Sequence, residues 1–458
     1  MLKSEPKIKS RMTDMTEGPV LRHILLFAVP LMLGNLFQML YNTVDSVIVG
    51  NFVGKQALAA IGSTTMIVNM LVFFFNGFSA GAGVIISHRF GAKETDSLHT
   101  AVETSMAATF ILSIVMTVFG VANVRPMLRL MATPDDVFAE AASYLTIYIA
   151  GISGLLIYNM GSGILRAVGD SRRPLFFLVL TSILNIGLDL LFVIVFKLGI
   201  EGAAYATVIS QAISAFLTLR LLSVSREIYA LSWKDLRIEM QTLKSIFSLG
   251  LPAGIQSVLT AFSNIFVQSY INVFGSGVMA GWSSYNKLDQ FIMLPMQSVA
   301  MAATTFVSQN VGAKKIGRAD RGTTVSVLMI LAVSAAIASL LYHFAEPAVR
   351  LFSPDPEVIS YGALFIHTNV FFFLVNCINH TLAGALRGYG DSRGPMVILL
   401  TGFVAVRQTY LYVLTHYISN TPKWVGFGYP VGWMATGVMI VIYYAVKKRK
   451  FNTSGLTL

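Results

Sequence analysis

The sequence predicts an all-α integral membrane protein, with twelve transmembrane helices in two six-helix lobes related by a pseudo-two-fold axis along the membrane normal. Three observations predict it. Only 12% of the 458 residues are charged and 55% are hydrophobic, whereas a soluble domain carries about 25% charged residues. Apolar stretches of about 20 residues, enough to cross a bilayer as a helix, recur along the whole chain. The second half of the chain also repeats the first at a nearly constant offset.

The twelve expected spans lie at roughly 23–50, 57–87, 100–122, 138–165, 174–196, 201–222, 246–273, 279–309, 323–345, 357–386, 395–418 and 428–446. Ahead of the first stand Lys3, Lys7, Lys9, Arg11 and Arg22. They resemble a signal peptide's leading region, but the apolar stretch runs on to about Gly50 with no small-residue cleavage site, so an uncleaved first span is expected. With the N-terminus inside, 25 Lys and Arg fall on the inner side and 7 on the outer, and Arg407 is left within a span. That asymmetry places both termini in the cytoplasm. It also accounts for the net charge of +11 without nucleic acid as a partner. The single cysteine, Cys377, sits in an apolar run and offers no disulfide framework.

The repeat is specific. "GSGILRAVGDSRRP" (161–174) aligns with "LAGALRGYGDSRGP" (382–395) at an offset of 221, with 8 of 14 positions identical. "FGAKE" from Phe90 matches "VGAKK" from Val311, and "VRPMLRLMATPDDV" (124–137) matches "AEPAVRLFSPDPEV" (345–358). Pro30 answers Pro252, one residue displaced. An even number of spans per repeat gives both halves the same orientation. The expected organisation is a first lobe at 1–222, an amphipathic basic linker at 223–245 on the cytoplasmic interface, and a second lobe at 246–458. The repeated "GDSR" reads most simply as a turn with Gly at a helix end.

Two equivalent six-span halves suit a transporter, because secondary transporters build substrate sites between such repeats. No "GxxxxGK[ST]" and no "HExxH" occurs, and the seven histidines show no metal spacing. An enzyme is therefore not expected, and neither is a cofactor.

Ionisable groups at membrane depth are expensive and mark function. Asp45, Asp189, Asp289 and Arg407 are the candidates. At about 1.5 Å per residue, Asp45 lies about 9 Å below the outer end of span 1, Asp189 about 12 Å below that of span 5, and Thr207 about 9 Å into span 6. Asn185 is one turn from Asp189 in "ILNIGLDLLF". These four oxygen-bearing residues share one layer of the first lobe and form a candidate site for a proton or a hard cation such as Na⁺. The bland alternative is that each acid caps a helix break or faces a watery vestibule. In the repeat, Asn185 and Asp189 answer to Val406 and Tyr410, and Asp45 to Val267, so the second lobe lacks the acidic site. It holds Arg407 and Asp289 instead, which are expected to approach as an ion pair.

At this point the residues resemble the multidrug and toxic compound extrusion (MATE) transporters over roughly 17–448. The likeness rests on "VPLMLGNLFQMLYNTVDSVIVGNFVG", the paired "GAK" turns, the "LRxxGDSRxP" repeats and "ILNIGLDLLF". It is closest to the bacterial DNA-damage-inducible F branch, because the acids sit in the first lobe and span 7 offers only Asn264 and Gln268. The resemblance implies that Asp45, Asn185, Asp189 and Thr207 couple transport to H⁺, or ligate Na⁺ as the only metal involved. It implies a substrate cavity with Tyr41, Tyr144 and Asn159, to which Asp289 and Arg407 are added here. Tyr144 and Asn159 could equally serve as ordinary interhelical hydrogen-bonding groups. Pro30 matches a proline whose helix bends as Asp45 changes protonation; physically, it removes one i to i−4 bond.

The function this implies is cation-coupled antiport, by alternating access, of amphipathic and often cationic compounds out of a bacterial cell. The protein is expected to sit in the cytoplasmic membrane as a monomer, with membrane lipid and the small-molecule substrate as its partners. A lipid-linked saccharide flippase shares the architecture, but more spans or a basic central cavity would be expected of it. A major-facilitator transporter is disfavoured by "SHRFGAKETD" after span 2, which lacks that group's Gly-x-x-x-Asp-Arg pattern.

Overall fold

The structure, a computed structural model, describes residues 12–454, with side chains through Arg449. Lys3, Lys7, Lys9, Arg11 and the side chain of Lys450 lie outside that range. Among the described residues every regular element is helical. The first half holds α1 (Val20–Phe52), α2 (Lys55–Gly91), α3 (Thr95–Leu130), α4 (Asp135–Ala150), α5 (Ile152–Ala167), α6 (Arg172–Asp189) and α7 (Gly199–Val224). The second holds α8 (Met240–Asn272), α9 (Ser276–Gly312), α10 (Ile316–His343), α11 (Ala345–Arg350), α12 (Pro356–Asn369), α13 (Phe373–Gly388), α14 (Arg393–Leu400), α15 (Arg407–Val413), α16 (Pro422–Gly426) and α17 (Gly428–Ser454). Wide π-helical turns continue α6 over Leu190–Val195, join α14 to α15 over Thr401–Val406, and extend α15 over Leu414–Ile418.

Among the described residues ten helical runs are long and apolar enough to span a membrane, and the pairs α4–α5 and α12–α13, each taken as one broken span, bring the number to twelve. The spans expected at 138–165 and 357–386 are each built of two helices, which bend by 46° and 55° where they meet. The first bend sits at Gly151, where a Cβ would lie 2.1 Å from Val208 Cγ1, so the backbone yields to let α7 approach. At the second, Leu374 and Val375 reach back only three residues, to the Phe371 and Phe372 carbonyls, and this tightened turn redirects the chain.

Side-chain size sorts the helix faces. On α3, Ala101, Thr104, Ser105, Ala108 and Thr109 are buried, whereas Ile111, Ile114, Val118 and Phe119 are exposed. Small residues toward protein and large apolar ones toward lipid are what helix packing in a bilayer favours. On α5, Gly154 and Gly161 continue the close approach to α7, with a Cβ at Gly161 falling 2.2 Å from Thr218 Cγ2.

The chain gathers into two compact units. The first comprises Leu33–Leu71 and Ile85–Ile246 together with the N-terminal stretch to Gly18, and the second is mainly Phe247–Leu458. Pro19–Met32 and Val72–Val84 pack with the second unit, although by sequence they belong to the first six spans.

The repeated turns have a physical cause. Gly169 and Gly390 adopt φ of +83° and +88°, which only glycine takes cheaply. Asp170 then accepts from the Arg172 and Arg173 amides at 3.1 Å, and Asp391 from the Gly394 amide at 2.9 Å, so each Asp tethers the start of the next helix. Beyond that the halves differ. Arg173 pairs with Asp170 and donates to the Tyr229 hydroxyl at 2.6 Å, whereas Asp391 receives the Tyr443 hydroxyl at 2.6 Å and Lys447 Nζ at 2.9 Å. The segment after α7, residues 225–239, forms no regular helix. Buried Tyr229 and Leu231 and the Trp233–Phe110 stack hold it against the first unit.

Candidate functional site

The first unit builds its polar cluster on two antiparallel helices. On α6, Thr181, Asn185 and Asp189 recur every four residues and therefore share one face. All three are buried, Asn185 at 2% exposure and Asp189 at 0%. α7 meets them with small and hydroxyl side chains. Ser214 Oγ donates to Thr181 Oγ1 at 2.8 Å, and near the other end of α6 the backbone at Phe192 comes so near Gly202 that a Cβ there would lie 3.1 Å away. Between these two anchors the register sets Asn185 level with Ser210, and Asp189 level with Ala206 and Thr207.

Polar groups here are left over. Both oxygens of Asp189, both polar atoms of the Asn185 amide, and the Ser182 and Ser210 hydroxyls are enclosed without a hydrogen-bond partner among the described residues. Buried polar groups are nearly always paired, so a cluster of exceptions calls for a ligand or an exchangeable proton.

α1 supplies the second acid. Asp45 has one carboxyl oxygen enclosed and unpartnered, and it interacts electrostatically with Asp189 and with Tyr144. Tyr41, one turn before Asp45, is in electrostatic reach of Tyr148 and Asp45. Tyr144 and Tyr148 stack with ring centroids 6.3 Å apart. The structure thus brings together Tyr41, Asp45, Tyr144, Asn185, Asp189 and, by register, Thr207. Two carboxylates in a low-dielectric interior cannot both remain charged cheaply, and a shared proton or a bound cation removes that cost. Carboxylate, amide and hydroxyl oxygens suit H⁺ or Na⁺. Among the described residues no three His, Cys, Asp or Glu side chains gather as a transition-metal site would require.

Asn159 lies beyond the Gly151 bend on α5, fifteen residues past Tyr144, and its neighbour Tyr158 is in electrostatic reach of Tyr41. Pro30 is buried within an unbroken α1. In the second unit, Asp289 lines a small pocket with Tyr285, Leu288, Asn369, Val370 and Phe373. The expected Arg407–Asp289 ion pair does not form among the described residues. Instead the Arg407 guanidinium lies over the Tyr429 ring, 4.8 Å from its centroid. The aromatic face takes the place that a carboxylate was expected to hold.

Sequence reasoning missed Ser182, Ser210 and Tyr148, although the Ser and Tyr spacing at one-turn intervals within apolar spans was a usable signal. It also missed the aromatic wall of the second unit. There Trp282 contacts Tyr285, Phe365 and Tyr429 with centroids 4.8 to 5.4 Å apart, and Tyr429 meets Trp433 at 5.7 Å.

The MatE family model matches residues 30–191 and 252–413, one copy in each half. The probable multidrug resistance protein YpnP of Bacillus subtilis is 30% identical over 437 residues, covering 94% of this chain and 96% of that protein. YoeA of the same organism, also described as a probable multidrug resistance protein, is 29% identical over 434 residues and 93% of each chain. Among solved structures, an outward-facing multidrug resistance MATE family transporter of the MOP superfamily superposes with a TM-score of 0.91 at 21% identity, over 97% of this chain and 99% of that one.

Proposed function

The chain belongs to the MatE family, and from that membership and the polar cluster of its first unit we propose that it is a cation-coupled antiporter. Family membership makes it a multi-pass membrane transport protein of the multidrug efflux type rather than an enzyme. In our reading H⁺ or Na⁺ moves inward across a bacterial cytoplasmic membrane while an amphipathic, often cationic, organic compound moves out. The first six spans (1–222) carry the coupling ion, 223–245 lies at the cytoplasmic surface, and 246–458 forms the second half, with both termini inside. The protein works as a monomer among lipids, with no cofactor beyond the coupling ion.

The observation that carries this reading is the set of enclosed, unpartnered atoms on Asp45, Asn185 and Asp189. Asp45, Asn185, Asp189 and Thr207 hold the cation. Tyr41 and Tyr144 stand beside the acids, where they respond to the charge change. Cation entry neutralises the acids; its release restores two mutually repelling carboxylates, a state that a cationic substrate stabilises. The two states thus prefer different ligands, as exchange requires. α1 passes from the second unit to the first between Met32 and Leu33, two residues beyond Pro30, whose missing N–H makes bending inexpensive there.

Proteoliposomes carrying an imposed pH or Na⁺ gradient, one at a time, test the proposal. The wild-type chain is expected to drive dye transport with at least one gradient, and Asp45→Asn to insert normally but lose coupled transport. Full coupled transport by Asp45→Asn would overturn the assignment.

A further inference from the structure

We propose that the outer end of the second unit holds a site for a phospholipid with a zwitterionic headgroup, in which Arg350 takes the phosphate and Glu346 the ammonium group. The site goes beyond the exporter reading and takes from it only the orientation of the chain in the membrane.

Here the protein has room for a ligand. A cavity of about 510 Å³ opens at the surface where α11 packs on the start of α12, within the ~300–1,000 Å³ of small-molecule sites. It is lined by Glu346 and Arg350 from α11 and by Ser360, Tyr361 and His367 from α12. All of these except the half-buried Tyr361 are exposed, so a ligand reaches them without rearrangement. The wall behind them is firm. At Gly362 a Cβ would lie 2.7 Å from Val349 Cγ1, so glycine is what lets α11 press against α12, and Val349, Val358 and Ile359 are buried beneath. Gly281 on α9 admits α12 just as closely, since a Cβ there would fall 2.8 Å from Tyr361 Cβ.

The charges are uncommitted. Glu346 precedes Arg350 by four residues on α11, the order that ordinarily favours an ion pair, yet no such pair forms among the described residues. Residues at this spacing have Cβ atoms about 5–6 Å apart, which suits a ligand whose own opposite charges are separated by two carbon atoms. The guanidinium fork of Arg350 matches a phosphate. His367 Nε2 donates to the Tyr342 carbonyl 3.0 Å away, since a carbonyl only accepts, and Nδ1 is left to receive an ammonium N–H. The repeat makes the arrangement selective. At the offset of 221, Glu346, Arg350 and His367 answer to Arg125, Arg129 and Thr146, so the first half has the cations without the acid. What adjoins the cavity points to a lipid. His367 packs on Tyr342 with centroids 4.7 Å apart, and Tyr342 on Phe371 at 5.2 Å. Tyr342, Phe371, Leu340 and Phe344 are all exposed. In the proposed orientation α10 ends at the outer face, so these residues form an aromatic belt of the kind that marks a membrane–water interface. It leads from the polar cavity toward the hydrocarbon, where a lipid chain continues from its headgroup.

Native mass spectrometry of the full chain in detergent, titrated with dioleoyl-phosphatidylethanolamine or dioleoyl-phosphatidylglycerol, reads the affinity of the first lipid bound. The two lipids share phosphate and chains and differ in the ammonium group. The wild-type chain is expected to hold the ethanolamine lipid about tenfold more tightly, the scale of one charge-assisted contact. Glu346→Gln should erase that preference by weakening the ethanolamine lipid alone. Arg350→Gln should weaken both lipids, as should Ser360→Trp, which fills the cavity from an exposed position. Arg129→Gln, at the corresponding place in the first half, should change nothing. Equal affinities in the wild type, a preference that survives Glu346→Gln, or undiminished binding by Ser360→Trp would overturn the proposal. Glycerophosphoethanolamine, the same headgroup without chains, should compete about a hundredfold more weakly, the scale of a few buried methylenes. Competition as strong as the lipid's own would assign the cavity to a soluble zwitterion and overturn the lipid. Should Arg350→Gln fail to fold, the wild-type comparison, Glu346→Gln and Ser360→Trp decide. No gradient enters these measurements, so their failure leaves the coupling assignment untouched, and failure of coupled transport in proteoliposomes leaves this site standing.

Discussion

Replacing Asp189 with leucine should make the protein more stable while ending its coupled transport. Both carboxylate oxygens of Asp189 are enclosed and unpartnered, and the side chain is 0% exposed. Each buried acceptor left unpaired costs about 1–3 kcal/mol, and exchanging buried ionic groups for apolar ones of similar volume gains about 1–4 kcal/mol. Leucine is somewhat bulkier, and overpacking returns about 1 kcal/mol or more. The net expectation is a gain of about 1–3 kcal/mol. At about 2–4 °C per kcal/mol for units of this size, melting should rise by about 2–12 °C. The assay heats purified protein in detergent without Na⁺ and measures the monomer peak by size exclusion. Added Na⁺ or a shift in pH that stabilises the wild-type chain through its ligand should leave Asp189→Leu unmoved. A lower melting temperature would mean that Asp189 is held by structural partners, and undiminished gradient-driven efflux would mean that it does not couple; either result refutes the reasoning.

Two further predictions concern the repeated turns. Burial works against the charged form of Asp391, but the Tyr443 hydroxyl, the Gly394 amide and Lys447 outweigh it and hold the carboxyl below its ordinary range. A depressed folded-state value contributes stability that is present above the unfolded value, about 3.9, and lost as pH falls through the folded one. Thermal scans from pH 7 to 3 should therefore show the wild type losing its margin over Asp391→Asn at the acid end, from about 1–2 kcal/mol at pH 7 for the cap and the partly exposed pair. At φ of +88°, Gly390→Ala should cost about 1–2 kcal/mol. Gly169→Ala should cost more, because its Cβ would fall 2.3 Å from the Thr13 carbonyl oxygen; melting temperatures of the pair check the order.

Much of the architecture is legible because lipid leaves few choices. Long apolar runs must be helices, so the spans stand out, and the four-residue spacing of Asn185 and Asp189 places them on one face of α6 before any coordinates are known. What escapes is whatever depends on how closely helices pack. Nothing local to Gly151 announces a 46° bend; the bend answers to Val208, on another helix. The π-helical turns have no distinct composition in "LLFVIV" or "TGFVAV". Charge alone pairs Arg407 with an acid, because opposite charges are the obvious partners. The structure gives it Tyr429, an aromatic residue twenty-two positions on, a choice that charge counting does not reveal. Ser210 entered the cluster only through the register of α6 against α7, which is tertiary information.

The two tethered aspartates have a consequence for dividing the chain. In the first unit the turn at Asp170 is secured through Arg173 by Tyr229, which lies beyond the last span of that half. In the second it is secured by Tyr443 and Lys447 near the chain's end. The irregular stretch after α7 thus acts as a strap on what precedes it rather than as slack between halves. A gene split for co-expression should be cut after Glu239, so that the first fragment keeps its strap, and a cut at Leu222 should leave the start of α6 loosely held.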